Sequence, residues 1–117
     1  MRKIETQMNT AVRTRTKWQS GNTTVTIGWE NEADVYLHGN HIATINRDGV
    51  TVYDGGYQST TTKSRLNAII EEFTNPLVCG VFQKDFQWYI RDNNVTRDFD
   101  NGYIFAWDDY TERLTLS

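Results

Sequence analysis

The chain has 117 residues, 38% of them hydrophobic, and a formal net charge of −3 at pH 7. This length predicts one domain, and four Trp, six Tyr and five Phe supply enough apolar area to exclude a disordered chain. The single cysteine, Cys79, excludes an internal disulfide, and no apolar run reaches the roughly 18 residues of a membrane span. No cleavable signal follows Met1, so we expect a cytoplasmic protein without membrane contact.

The first predicted element is a helix over residues 3–15. Its narrow apolar face consists of Ile4, Met8, Ala11 and Val12. Such a narrow stripe is typical of a helix that lies on a sheet.

Four antiparallel strands are predicted next, because apolar and polar residues alternate between turn signals. The predicted strands are residues 23–29, 33–38, 41–46 and 50–53. A two-residue turn at Gly39-Asn40 would join the second and third strands. That register places Leu37 opposite Ile42 and His38 opposite His41.

A second helix is predicted from Ser59 to Phe73. Its apolar residues recur at helical spacing, at Leu66, Ile69, Ile70 and Phe73. Hydroxyls at the start of this helix can cap its first N–H groups, and Asn75-Pro76 prevents its continuation.

The C-terminal part predicts further strands at residues 78–83 and 86–91, joined at Lys84-Asp85. Residues 95–99 and 103–107 are expected to pair with each other around Asp100-Asn101-Gly102, and a polar tail begins at about Asp108. The predicted fold is α+β, a twisted antiparallel sheet of about six or seven strands with two helices packed on it.

Several stretches of the first seventy residues resemble a group of small tailed-bacteriophage proteins. They are Lys3-Ile4-Glu5 with Met8, Trp18 followed by Gly21-Asn22-Thr23, Val35-Tyr36-Leu37-His38-Gly39-Asn40 with Ile42-Ala43, and Thr61-Thr62-Lys63-Ser64-Arg65-Leu66-Asn67-Ala68. The resemblance implies a phage product in the cytoplasm of an infected bacterium, where small phage proteins bind and redirect host machinery. It carries no functional residue over to this chain.

The start of the second helix is a candidate anion site. Its hydroxyls and cations could hold a phosphate or carboxylate at the positive end of the helix dipole, through Thr60, Thr61, Lys63 and Arg65. Two cations are unfavourable at that end unless a negative group lies beside them. The alternative is ordinary capping with two solvated cations.

Two weaker motifs raise the question of a metal. His38 and His41 could share zinc with Asp34 or Asp54, but tetrahedral zinc needs three or four protein ligands. Residues 98–102 resemble half of a calcium loop in an incomplete frame, and a β-turn explains them equally well. We therefore expect neither metal nor cofactor.

Two extended surfaces are candidate binding regions. The first is an aromatic and acidic face near the C-terminus, formed by Trp88, Tyr89, Asp98, Asp100, Tyr103, Trp107, Asp108 and Asp109. The second is a basic N-terminal region that could contact nucleic-acid phosphates, formed by Arg2, Lys3, Arg13, Arg15 and Lys17. The alternative for the first is a solvated sheet face.

No known spacing of nucleophile and base occurs, so we predict a protein that is not an enzyme. The predicted function is a small phage accessory protein that binds and modulates a host protein, by inhibiting a host defence or nucleic-acid-processing machine. The alternative is a nucleic-acid-binding module that uses the basic N-terminal helix and the Thr60–Arg65 helix start. A homodimer through an exposed edge strand is a third interpretation.

Overall fold

The computed structural model describes residues 1–107 and contains two helices and nine strands. The helices are α1 (Lys3–Thr14) and α2 (Thr60–Phe73). The strands are β1 (Trp18–Ser20), β2 (Thr23–Ile27), β3 (Ala33–Leu37), β4 (Asn40–Asn46), β5 (Gly49–Val52), β6 (Gly80–Lys84), β7 (Gln87–Asp92), β8 (Val95–Asp98) and β9 (Tyr103–Ala106). Neither helix is long and apolar enough to cross a membrane.

The strands form two antiparallel sheets. The large sheet has the order β1-β2-β3-β4-β5-β9 and contains the predicted meander as β2 to β5. The small sheet has the order β6-β7-β8. The predicted α+β class with two helices is confirmed, but its strands divide between two sheets instead of forming one.

The helices cover one face of the large sheet, α1 on β1 and β2 and α2 on β4 and β5. Across the meander, Val25, Val35, Ala43 and Val52 stand opposite one another, and all four are fully buried. The predicted apolar faces of both helices are confirmed, because Met8 and Val12 of α1 and Leu66, Ile69 and Ile70 of α2 lie in the same core. The Ser59 hydroxyl accepts from the Thr62 N–H and caps α2.

The expected C-terminal hairpin was wrong. β8 pairs with β7, whereas β9 pairs with β5, more than fifty residues earlier in the chain. The reason is burial, since β9 places Phe105 opposite Val50 and both side chains are fully buried. The Asn-Gly signal marks a real turn at residues 100–103, but this turn connects two sheets.

The register of the β3–β4 hairpin was also predicted wrongly. The turn residues are His38 and Gly39, both with positive φ, as a type I′ turn requires. Leu37 therefore lies opposite Asn40 and Tyr36 opposite His41, and a β-bulge follows. The bulge allows two consecutive residues, Ile42 and Ala43, to be buried.

A buried ion pair joins the starts of the two helices. Arg65 Nη1 of α2 lies 2.7 Å from Glu5 Oε2 of α1, and the two side chains are 4% and 3% exposed. Ser64 donates a second hydrogen bond to Glu5. The Arg65 guanidinium also donates to Thr23 Oγ1 of β2 and to Asn22 Oδ1. One polar network thus connects both helices to the large sheet.

The network determines the charge state of Glu5. Burial by itself would raise the pKa of Glu5, but hydrogen bonds from Ser64, Arg65 and the Arg2 backbone, with the Arg65 charge, hold this pKa below its usual value. Glu5 is therefore ionised in the folded protein at neutral pH, and the buried charge of Arg65 is compensated.

The small sheet is attached to α2 through a side-chain amide. Asn67 Nδ2 donates to the Val81 carbonyl at 2.8 Å, and the Val81 N–H donates to Asn67 Oδ1 at 2.8 Å. Asn67 thereby makes the two hydrogen bonds that a neighbouring strand would make at the free edge of β6. At Val81, the edge of β6 is thus paired with a side chain of α2 instead of with another strand.

We expect Glu5→Gln and Arg65→Met each to lower the free energy of unfolding by about 3–5 kcal/mol, because each leaves one partner of a buried pair uncompensated. The double variant should lose clearly less than the sum, with a coupling energy of about 2–3 kcal/mol. Urea unfolding of the four proteins measures this cycle. Additive single effects would show that the two side chains do not act as a pair.

The same variants have a pH signature. Because the pKa of Glu5 is lowered on folding, its contribution is complete above its unfolded pKa of about 4.3 and disappears as the pH falls through the folded value. The stability difference between the wild type and Glu5→Gln should therefore shrink in acid. A difference that stays constant down to about pH 3 would contradict this assignment.

We expect Asn67→Ala to lower the free energy of unfolding by about 1–3 kcal/mol, because both bonds to the Val81 backbone are lost. The Val81 amide should also exchange its hydrogen faster. The control is Lys63→Ala, which removes an exposed contact from α2 to Gln83 of the same strand and should change stability by less than about 0.5 kcal/mol. Equal effects of the two variants would contradict a special role for Asn67.

Candidate protein-binding surface

The small sheet presents one face to the core and one to solvent. Directly opposite residues share a face, so the rows Gly80–Arg91–Thr96 and Phe82–Tyr89–Asp98 lie on the same side. Val81, Trp88 and Ile90 lie on the other side and are buried. The face of the first two rows is the outer face of the small sheet.

Trp88 was wrongly predicted to belong to the interface. It is 3% exposed and packs edge-on against Phe99, with ring centroids 5.3 Å apart. The sequence prediction named both Trp88 and Tyr89, but neighbouring residues of a strand point to opposite faces, and Trp88 lies on the inner face. The turn itself is displaced by one residue, since the residues with positive φ are Asp85 and Phe86; this changes the cross-strand pairing by two residues and leaves the face of each side chain unchanged.

The other predicted interface residues divide by environment. Tyr89 is half-buried on the outer face, while Asp98 and Asp100 are exposed. Tyr103 donates from its hydroxyl to Asp92 at 2.6 Å, and burial together with this bond raises the pKa of Tyr103 to about 12. Trp107 donates from its indole N–H to the Asn46 carbonyl. Asp108 and Asp109 lie outside the described residues.

Three aromatic side chains dominate the outer face near the β6–β7 turn. The rings of Phe82 and Tyr89 stack at 5.4 Å with an interplanar angle of 22°. Phe86 is at the tip of the turn and is 95% exposed. We call Phe82, Phe86 and Tyr89 the aromatic hairpin. Since the stack fixes two of its three rings, this surface can meet a partner with little loss of side-chain entropy.

Phe86 occupies an unfavourable backbone conformation. Its φ is +65°, in the left-handed region that costs a residue with a side chain about 1–2 kcal/mol. The two comparable turns of the protein place His38-Gly39 and Asn93-Asn94 at such positions. Glycine and asparagine tolerate this conformation, whereas phenylalanine does so poorly. An exposed ring held in a strained turn contributes nothing evident to the core.

Polar groups surround the aromatic hairpin. Asp98 lies beside Tyr89 and accepts a hydrogen bond from Gln87 at 3.0 Å. Lys84 and Asp85 are exposed at the turn. An aromatic centre with a polar rim is the usual anatomy of a protein–protein interface.

The sequence contained a signal for the correct turn. Val81 and Ile90 are the two aliphatic residues of these strands, and placing them opposite each other centres a two-residue turn on Asp85-Phe86. With Val81 and Ile90 on the inner face, the alternation along each strand places Phe82 and Tyr89 on the outer face. The positive φ of Phe86 could not be predicted, because the central positions of such a turn are usually occupied by asparagine, aspartate or glycine.

The structure changes the predicted anion site. The Arg65 side chain is 4% exposed and binds Glu5, so the negative group expected near this helix start comes from the protein itself. Arg65 is therefore withdrawn from the site. Lys63 reaches Gln83 at 3.2 Å, while Thr60 is exposed and Thr61 half-buried at the helix start. Anion binding by these three residues stays a prediction.

The five predicted nucleic-acid contacts are separated. Arg2 and Lys3 are exposed before and at the start of α1, and Lys17 is exposed beyond its end. Arg13 forms an ion pair with Glu72 of α2. Arg15 ends α1 with positive φ and donates to the Asn31 carbonyl at 2.9 Å. The structure thus brings these cations to two ends of one helix and engages two of them within the protein.

The two histidines do not face each other as predicted. His38 is in the turn, and His41 lies between the rings of Tyr36 and Tyr53. The His41 ring shares a hydrogen bond with Thr44, which donates to Asp34. Within residues 1–107, no three His, Cys, Asp or Glu side chains lie close enough together to hold a metal ion.

Replacing Phe86 by asparagine should raise the free energy of unfolding by about 1 kcal/mol, because asparagine tolerates positive φ and the exposed ring makes little contact. Thermal and urea unfolding measure the gain. Asp85→Asn is the matched control and should change stability by less than about 0.5 kcal/mol, since aspartate already tolerates this conformation. A less stable Phe86→Asn variant would show that the ring supports the fold.

Comparison with known proteins identifies the family. The family model described as Kyanoviridae Gp96 protein matches residues 1–106. The chain therefore belongs to this family of bacteriophage proteins, as the resemblance of its N-terminal stretches implied. Searches of curated proteins and of solved structures gave no match.

Proposed function

From its membership of this phage family, we propose that the protein is a non-enzymatic accessory protein that binds and modulates a protein of the host cell. The observation that carries the proposal is the aromatic hairpin, whose Phe86 is 95% exposed at a strained turn. Contact with a partner would explain why an exposed phenylalanine occupies this strained position, since its side chain does not stabilise the isolated fold.

The energetics of interfaces support this surface. A few buried aromatic side chains dominate the affinity of most protein complexes, surrounded by polar contacts that exclude water. Phe82, Phe86 and Tyr89 offer such a centre, and Gln87 with Asp98 offers part of the rim. These groups provide contact area and hydrogen bonds, and both are properties of a binding surface more than of a catalytic site.

The charges near the aromatic hairpin suggest the kind of partner. Asp85 and Asp98 are exposed beside it, against Lys84 at the turn. Carboxylates beside aromatic anchors favour a basic partner surface, through steering and through charged contacts at the rim. The sharper form of the proposal is therefore a host defence or nucleic-acid-processing protein, whose basic surface this protein would occupy in place of nucleic acid.

Affinity capture from a lysate of the bacterial host tests the proposal. The tagged wild type should recover a specific protein, with and without nuclease treatment. Phe82→Ser and Phe86→Asn should each weaken capture by about 30-fold, the effect of losing about 2 kcal/mol at an interface centre. Because Phe86→Asn is expected to be more stable than the wild type, unfolding would not explain its loss of binding.

Trp29→Ser is the matched control. Trp29 is 97% exposed on the connection between β2 and β3 of the large sheet, so its loss removes an equally exposed ring outside the aromatic hairpin. This variant should recover the same protein as the wild type. The proposal fails if no specific protein is recovered, or if the hairpin variants capture it as well as Trp29→Ser does.

A further inference from the structure

A cleft lies beside the aromatic hairpin, between α2, the segment that follows it and the small sheet. Its volume is about 520 Å³, within the range of small-molecule sites. Its apolar lining comes from Ile70, Pro76, Val81 and Phe82. Arg91 and Thr96 supply polar groups from the outer face of the small sheet.

The sequence leaves this space open at Gly80. Gly80 stands directly opposite Arg91, and Thr96 follows in the same row, so a side chain at residue 80 would lie beside the Arg91 side chain. The φ of Gly80 is outside the left-handed region, so its backbone does not require glycine. An added Cβ would meet only Asn67 Oδ1, at 3.4 Å. What the glycine provides is room in the cleft.

Arg91 brings an unsatisfied donor to this space. Its Nε atom is buried and has no hydrogen-bond partner in the part of the chain that the structure describes. Within residues 1–107 its guanidinium also forms no ion pair, whereas Arg13 and Arg65 each bind a carboxylate. A buried charged donor without an acceptor is destabilising by more than a neutral one. An anionic hydrogen-bond acceptor would satisfy Arg91, and a carboxylate matches the planar guanidinium in shape and charge.

The geometry points to a binding site for a small carboxylate with an apolar body. The carboxylate accepts from Arg91 and from the Thr96 hydroxyl, while the apolar body lies against Pro76 and Phe82, the exposed apolar side chains of the lining. Glu71 is also on the wall of the cleft, so a ligand with one negative charge fits better than a doubly charged phosphate. The cleft shares Phe82 with the aromatic hairpin, but binding of a small carboxylate does not require the proposed protein partner.

An NMR titration of the full-length protein tests the site, with hexanoate as probe at neutral pH and concentrations up to about 20 mM, since small ligands bind weakly. Shifts of amide signals should saturate and concentrate at residues 70, 80–82, 91 and 96. Hexanamide, which has the same apolar body without the charge, should bind about tenfold more weakly or worse, the effect of losing a charged hydrogen bond.

Arg91→Gln should weaken hexanoate binding by about tenfold or more. Arg97→Gln is the matched control, because Arg97 is on the neighbouring strand but its guanidinium lies 5.1 Å from the centre of the Tyr103 ring. It should bind like the wild type. If Arg91→Gln is poorly folded by its own spectrum, Arg91→Lys replaces it and should bind several-fold more weakly, because lysine lacks the planar fork.

The proposal is overturned if hexanoate gives no localised, saturable shifts. It is also overturned if hexanoate and hexanamide bind equally, or if substitution at Arg91 has no more effect than Arg97→Gln. None of these results depends on capture of a host protein, so failure of the carboxylate site and failure of the proposed function are distinguishable.

Discussion

The ion pair between Glu5 and Arg65 is the interaction on which the rest of the structure depends. It buries two opposite charges sixty residues apart, at 2.7 Å, and extends through Ser64 and Thr23 to both helices and β2. A buried charge is tolerated only with its partner in place, so the two helix starts have one relative position in which both are satisfied. Packing of the apolar faces supplies most of the stability, and the pair selects one arrangement of that packing.

The small sheet depends on this frame through α2. Asn67 binds the Val81 backbone at the β6 edge, and the inner side chains Val81 and Ile90 join the core that α2 covers. The outer face is consequently held in place without needing its own side chains for support. A strained turn with an exposed phenylalanine is compatible with such a scaffold, because about 1–2 kcal/mol is a small part of a typical folding free energy. Side chains of the outer face are therefore available for binding, while those of the inner face stabilise the fold.

Local sequence patterns predicted the features that depend on neighbouring residues: the helices, the helix cap and the strands of the meander. Helical spacing gave α1 and α2 with their buried faces, Ser59 gave the cap, and alternation gave the meander. Long-range pairing could not be predicted, since nothing near Arg65 reveals that its anion is Glu5, and nothing near Tyr103 reveals that β9 completes the large sheet beside β5. Of the predicted interface residues, Trp88 is buried and Tyr89 is on the outer face, because neighbouring residues of β7 point to opposite sides of the small sheet. Phe82 and Phe86 were missing from the prediction.

The central claim is that a host protein binds the outer face of the small sheet. Hydrogen–deuterium exchange of the protein, free and in complex with its captured host partner, measures the bound surface most directly. Our account predicts that binding slows exchange in residues 82–91 and leaves the open face of the large sheet, around His41 and Thr44, unchanged. Protection confined to the large sheet or to α1, with the β6–β7 turn exchanging as in the free protein, would contradict it.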